Sequence, residues 1–455
     1  MKALLTVIVL VLCTIFSKAQ DIEKTTRVIE LLKDKTNLSK LHFPKSVQRF
    51  YTKNNAEYAW FDRQDRDQPE IAILLLGYAE QFGLSSSDYH CQELLPEKLR
   101  AFESPAVDDP DGKAWFDILL TDAIMTFTNN LHFGKFNPRY TSSDIDAGDI
   151  HGFCSDDKLT FALTQNDFLK KLLEVQPQIK AYTDLQNYLN TLYANDMALV
   201  APLELDKITI NMERLRWIET SSDNYILVNI PSYSLELHSN KTQYDFKVII
   251  GKPSTPTPVL ESTVTHFTTA PDWKVPQTIF RKEMLPKILK NERYLADHHY
   301  SIYDQNGHEV VITSAKLKDI SRNPSKYSIR QSSGCDNALG AVVFRFTNSY
   351  GVYLHDTSQR QLFGKNERAL SHGCIRVQDA AKLASLLLTY DHSEVQIPIA
   401  EKAMVDYKRK DFVLKQPIPI IITYLTCLIK NEKPVFYQDI YHLDDALQKK
   451  INVQK

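Results

Sequence analysis

Two short stretches hold side chains whose types and spacing suit covalent chemistry. They are Tyr353-Leu354-His355-Asp356-Thr357 and Leu370-Ser371-His372-Gly373-Cys374-Ile375-Arg376-Val377. A cysteine attacks as its thiolate, so it needs a base or a positive field beside it. His372 stands two residues before Cys374, and His355 stands at the end of an expected strand earlier in the chain. A neighbouring strand end can fix an imidazole against a thiol, and a third group then sets its tautomer. Asp356 is adjacent and can serve through its side chain or its backbone carbonyl. Gly373 permits close backbone approach and unusual dihedrals. The amides of Gly373 and Cys374 can then face an oxyanion. Arg376 follows at alternate spacing and suits a substrate carboxylate. Such a set performs acyl transfer through a thioester.

Two rival chemistries use the same residue types. His355, His372 and Cys374 are all zinc-type ligands, but the chain has no CxxC and no HExxH. The adjacent pairs His298-His299 and His90-Cys91 diverge if they lie on strands. A papain-like protease normally places its cysteine before its histidine, the reverse of the order here. Zinc is therefore the weaker reading of these residues, and the resemblance given below implies no metal or organic cofactor.

The elements that must position these residues change character along the chain. Residues 22–200 read as helical. Apolar residues recur at three- and four-residue spacing in Ile22–Lys33, Glu70–Phe82, Lys113–Thr128, Asp167–Leu173 and Leu185–Tyr193. After about residue 200, short β-branched and aromatic runs bounded by turn residues predict strands at Tyr225–Ile230, Phe246–Ile250, Val342–Phe346, Tyr350–Leu354 and Pro419–Thr426. Lys252 to Pro258 is a proline-stiffened connection. Residues 278–330 are polar and helix-prone between strand-rich stretches, a pattern suited to an insertion over a site. Gln378–Leu388 predicts an amphipathic helix with Asp379 in its first turn, where the helix dipole favours negative charge.

The chain has 455 residues, enough for two or three domains. Its 43% apolar and 24% charged content is ordinarily globular and excludes a polytopic membrane protein and wholesale disorder. Lys+Arg at 54 against Asp+Glu at 56 leaves no basic excess for a phosphate backbone, so no nucleic-acid partner is expected. Lys2, the apolar run Ala3 to Phe16 and Ser17-Lys18-Ala19 form a secretory signal pattern. The run is short of the roughly 20 residues a bilayer span needs, although an uncleaved anchor is the alternative. Cleavage after Ala19 removes two lysines and gives a mature charge of −4. It also leaves five cysteines, Cys91, Cys154, Cys335, Cys374 and Cys427, an odd number that cannot all pair within the chain.

His355-Asp356-Thr357 followed by Ser371-His372-Gly373-Cys374-Ile375-Arg376 resembles the signature of the L,D-transpeptidases that remodel peptidoglycan. Further blocks look like the large, multidomain YcbB-type branch: Asn211 to Trp217, Ile226 to Pro231, Pro271-Asp272-Trp273-Lys274-Val275-Pro276, Asn337-Ala338-Leu339-Gly340 and Asp439-Ile440-Tyr441. Leu120-Thr121-Asp122-Ala123 and Gly134 to Pro138 do so in the helical half. The resemblance implies that Cys374 attacks the third residue of a donor tetrapeptide stem, releases terminal D-Ala and passes the acyl group to the amine of a second stem, a 3→3 cross-link. It implies His355 as general base oriented by Asp356, an oxyanion site at His372, Gly373 and Cys374, and a substrate site lined by Tyr353, Trp273, Ser371 and Arg376. Its further implications are an α+β fold, periplasmic export, peptidoglycan stem peptides as partners beside cell-wall synthesis proteins, and carbapenem acylation of the thiol.

The implied organisation is a signal peptide over 1–19, a helical scaffold domain over 20–200 and a β-rich catalytic domain over 201–445. A helical cap covers 278–330, and 446–455 is a tail. Two departures stand out. Leu185–Tyr193 runs almost directly into Ile208–Trp217, which leaves no room for the peptidoglycan-binding module common in that branch. Cys335 adds a thiol just before Asn337-Ala338-Leu339-Gly340. Within the same chemistry, the alternatives are an L,D-carboxypeptidase, an amino-acid exchanger or a protein-to-wall attachment enzyme. Outside it, the alternative is an idle envelope scaffold that binds peptidoglycan.

Overall fold

The computed structural model describes residues 27–61, 67–104, 106–194, 202–219, 222–291 and 293–453. The expected signal peptide lies outside them. The chain forms two compact units. One runs to Glu219 and also takes Thr426–Phe436 and His442–Lys455; the other is Thr220–Leu425 with Tyr437–Tyr441. The division falls at 219/220 rather than at the expected 200/201, because the Pro202–Arg216 helix belongs to the helical unit. That helix buries Ile208, Ile210, Met212 and Leu215. Within the same unit its Arg214 pairs with Asp444 at 2.5 Å and its Asn211 bonds the Thr426 hydroxyl at 3.0 Å. Residues 446–453 of the expected tail belong instead to a helix, Leu443–Val453, which buries Leu447.

In the helical unit the spine is a 24-residue helix, Pro110–Phe133. Asp109 starts it by accepting the Gly112 N–H, and Gly134 at φ +82° ends it. Nearly every position from Phe116 to Leu131 is buried, as expected of a helix apolar on most faces. Its two buried carboxylates hold loops in place. Asp117 accepts from the Tyr51 hydroxyl (2.6 Å) and from the amides of Ala59 and Trp60 (2.9 Å each). Asp122 accepts from the amides of His42 and Phe43 (2.9 Å each) and from the rings of His42 (3.3 Å) and His90 (2.8 Å). Those four bonds outweigh burial and hold the Asp122 carboxyl at about 2. The ligand atoms of His42, His90 and Asp122 lie within 4.8 Å of one another. The carboxylate oxygens are already occupied by these donors, so the cluster is a polar staple of the helical core.

The second unit is built on a nine-stranded sheet. Its strands are β1 (Tyr225–Asn229), β2 (Ser234–Ser239), β3 (Thr242–Gly251), β4 (Leu260–Thr269), β8 (Val342–Phe346), β9 (Leu354–His355), β10 (Ala369–Ser371), β11 (Ile375–Val377) and β12 (Lys410–Thr423). A separate three-stranded sheet uses β5 (Trp273–Lys274), β6 (Tyr300–Tyr303) and β7 (Ser328–Gln331). The large sheet runs β10-β3-β11-β9-β8-β4-β12-β1-β2, and a β2–β3 pairing closes it into a barrel-like ring. One face carries Val248, Ile250, Phe267, Val342, Phe344, Leu354, Ile375 and Val377 into a single apolar core. The Ala380–Tyr390 helix adds Leu383, Ala384, Leu387 and Leu388 to that core. Strand β12 is longer than expected. Its register breaks between Val413 and Ile418, around Pro417, which has no N–H to give to the ladder.

The insertion at 278–330 is helical as expected, but it also contributes β6 and β7 to the small sheet. It has its own apolar core, including Phe280, Ile288, Leu317, Ile320 and Ile329. Its first helical stretch contains a π turn at Phe280–Met284. The α+β architecture is thus a predominantly helical N-terminal part followed by a β-rich part with helical insertions.

Candidate active site

Strand alternation assembles the site. Leu354 and Ile375 pair across β9 and β11, and both point into the core. Their neighbours must therefore face the other way. His355 of β9 and Arg376 of β11 share that second face, with Tyr353 and Cys374 just before the two strands and the Tyr353 ring 5.6 Å from that of His355. Arg376 is the register partner of His355, and the Ile375 amide bonds the Tyr353 carbonyl at 3.1 Å. Pairing of Val343 with His355 brings Arg345 of β8 beside Tyr353, with its guanidinium 5.4 Å from the ring centroid. Strand β9 is shorter than the expected Tyr350–Leu354, because 350–353 reach it as irregular backbone.

His355 is buried, and its Nδ1 lies 2.5 Å from the Asp356 carbonyl oxygen. A carbonyl only accepts, so Nδ1 carries the proton and Nε2 holds the lone pair. Burial, helped by the Arg376 charge, pushes the imidazole down to about 3, so it rests neutral. The Asp356 carboxylate is turned elsewhere. It accepts the Ala341 amide at 2.9 Å and lies 3.5 Å from Arg360. Of the two ways Asp356 was expected to set the tautomer, the backbone carbonyl is the one in contact. Gly340, at φ +62°, is the neighbour that makes room, since any side chain there would overlap the Asp356 carboxylate.

Cys374 is half-buried, and burial raises its thiol despite the opposing influence of Tyr353, Arg345 and Arg376. Its sulfur lies 3.9 Å from the Gly351 carbonyl. Among the described residues no hydrogen bond joins the thiol to His355. The Tyr353 hydroxyl lies against both the thiol and Trp273, and burial raises that phenol strongly. Arg376 donates to Gln359 at 2.9 Å, while its buried Nε–H has no partner among the described residues.

The loop before Cys374 is fixed from within and from outside. Ser371 is buried; its hydroxyl donates to the Cys374 carbonyl (2.6 Å) and accepts the Gly373 amide (3.1 Å). The Gly373 N–H, expected to face an oxyanion, is therefore occupied. The amides of Cys374 and His372 have no acceptor among the described residues. Gly373 adopts φ +115°, a region that L side chains rarely enter. The His372 ring bonds Glu283 of the π turn at 2.5 Å, which ties the inserted segment to this loop. Cys335 is exposed and free.

The sequence reading did not single out Arg345 or Glu283, and it gave Gly340 and the 252–258 loop no part in the site. Only Arg345 carried a signal, as the one charged position in the apolar run Val342–Phe346. Glu283 and the loop reach the site by tertiary folding. Of the three zinc-type residues, His355 and His372 turn to Asp356 and Glu283, and the three form no metal-ligand cluster among the described residues.

Residues 223–399 match the family model of the L,D-transpeptidase catalytic domain (YkuD), and residues 45–189 match that of a scaffold domain. The match stops short of β12, which is nonetheless part of the closed ring. A Haemophilus influenzae protein whose name provisionally assigns it to the L,D-transpeptidases is 28% identical over 441 residues, covering 93% of this chain and 83% of its own. Residues 223–399 are thus similar to an L,D-transpeptidase catalytic domain, a likeness that supports transpeptidase activity in general terms.

Proposed function

We propose that this chain is a peptidoglycan L,D-transpeptidase that forms 3→3 cross-links through a thioester on Cys374. The observation that carries the reading is the clamp on His355. Its Nδ1–H is committed to the Asp356 carbonyl, so its basic Nε2 is the nitrogen left for chemistry, with the thiol just before the neighbouring strand β11. In the acylating step Sγ adds to the carbonyl of the third stem residue and Nε2 takes the thiol proton. The tetrahedral oxyanion is met by the Cys374 amide, with the His372 amide at the same loop. Collapse breaks the peptide bond, and terminal D-Ala leaves as an amine carrying the proton from Nε2. The amine of a second stem then attacks the thioester, gives up a proton and restores the thiol.

Tyr353 and Trp273 form one wall of the proposed substrate site. The unpartnered Nε–H of Arg376 supplies a donor for a substrate carbonyl or carboxylate. The catalytic role of Asp356 in this scheme is its carbonyl contact with His355. No metal or organic cofactor enters any step. Export by the 1–19 segment, membership of the YcbB-type branch without its peptidoglycan-binding module, carbapenem acylation of Cys374 and association with cell-wall synthesis proteins belong to the same reading. The domains proposed are a scaffold before the catalytic domain, with 278–330 as a cap that reaches the loop through Glu283.

The test is mass spectrometry of disaccharide-tetrapeptides incubated with the purified mature protein, alongside Cys374→Ala. A dimer one alanine lighter than two donors, absent with the variant, is the expected product. Tripeptide alone would assign hydrolysis instead. Unchanged substrate with native protein would favour an idle scaffold, and cross-linking that persists in the variant would remove Cys374 from the mechanism.

A further inference from the structure

An oxyanion donor needs aim as well as availability. The Thr257 hydroxyl is buried and makes two bonds. It donates to the Gly373 carbonyl at 2.7 Å and accepts the Gly251 amide at 2.9 Å. Both are fixed from behind by Tyr441, whose hydroxyl donates to the Gly251 carbonyl at 2.6 Å and accepts the Thr257 amide at 3.2 Å. The Tyr441 amide is in turn held by the Tyr424 hydroxyl at 2.8 Å. Gly251 cannot be replaced without overlap, since a side chain there would meet the Thr255 carbonyl.

The peptide between Gly373 and Cys374 is planar and trans, so its C=O and N–H point in opposite directions. Pinning the Gly373 carbonyl to Thr257 turns the Cys374 N–H the other way, out of the loop. Ser371 fixes the next peptide by holding the Cys374 carbonyl. Two neighbouring peptide planes are thus set by two hydroxyls before any substrate arrives, and preorganisation of this kind makes an oxyanion donor effective. We infer that Thr257, backed by Tyr441, is a positioning residue that aims the Cys374 amide at the oxyanion. The inference rests on the proposed thioester chemistry at Cys374.

A pair of probes separates this role from general damage. Acylation of the thiol by p-nitrophenyl acetate passes through an oxyanion, whereas alkylation by iodoacetamide does not. Neither depends on peptidoglycan, so the outcome is independent of whether stem peptides are the substrate. With the full chain, Thr257→Val should slow Cys374-dependent p-nitrophenol release by roughly ten- to a hundredfold, somewhat less than outright loss of a donor costs. Its iodoacetamide rate and pH profile should match the native protein. Thr257→Ser, which keeps the hydroxyl, should restore most of the acylation, and Tyr441→Phe should give a smaller loss than Thr257→Val. Equal acylation in native and Thr257→Val protein would overturn the inference. So would parallel loss of both reactions in Thr257→Val and Tyr441→Phe, because that pattern means a displaced thiol and not a misaimed amide.

Discussion

The chemistry proposed at Cys374 starts from a neutral pair. Burial raises the thiol and lowers the His355 imidazole, so both shifts oppose a resting thiolate–imidazolium couple. Inactivation by iodoacetamide should therefore titrate above the ordinary thiol range near about 8.5. A midpoint well below it would show that the positive field of Arg345 and Arg376 dominates and would contradict the neutral pair. His355 also couples folding to acid. Its folded value of about 3 lies below the unfolded value of about 6.5, so the unfolded chain takes the proton first as pH falls. The contribution is fully present above about 6.5 and is lost between there and about 3, at up to about 1.4 kcal/mol per pH unit. Urea melts at pH 7 and pH 5 should show this loss in native protein, and His355→Gln should show less of it. Equal acid sensitivity in both would place the effect on other groups.

At the scale of elements, the site depends on how neighbouring strands are seated. Asp356 leaves β9 with its carboxylate against Gly340, whose backbone sits at φ +62°. Gly340→Ala should cost about 1–3 kcal/mol, from the strained dihedral and the displaced carboxylate, measured as a shift in the urea midpoint. A neutral result would mean that the loop at Asn337 yields freely. The same elements show what the sequence reveals and what it hides. Strands buried on one face, such as Val342–Phe346, were legible because β-branched and aromatic runs report burial directly. Strand β12 was read from Pro419 onward only, since its first half, with Lys410, Asp411, Lys415 and Gln416, lacks a continuous apolar run. Strands β6 and β7 were missed for a related reason, being short and embedded in helix-prone sequence. Cys374 and His355 could be named from residue type and motif. Which Asp356 oxygen holds the imidazole, and that Ser371 occupies the Gly373 amide, are facts of backbone direction that no residue type encodes.

At the scale of the whole molecule, the helical unit is held by carboxylates that its sequence pattern did not announce. A helix buried on most faces has little room for charge, yet Asp117 is fully buried in the middle of Pro110–Phe133. It is tolerated because a hydroxyl and two loop amides donate to it, from Tyr51, Ala59 and Trp60. Removing the carboxylate strands those donors in an apolar interior, and each unpaired group costs about 1–3 kcal/mol. Asp117→Ala should therefore destabilise the helical unit by about 3 kcal/mol or more, which for a unit of this size lowers its melting temperature by roughly 6–12 °C. The sheet unit has its own apolar core, separate from the cluster that surrounds Asp117. Circular dichroism at 222 nm should accordingly show an earlier loss of helix, while alkylation of Cys374, followed through the same temperature ramp, keeps its native course. If the helical signal and the thiol are lost together at the lowered temperature, the two units melt as one, and the Asp117 network supports the catalytic fold as well as the helices around it.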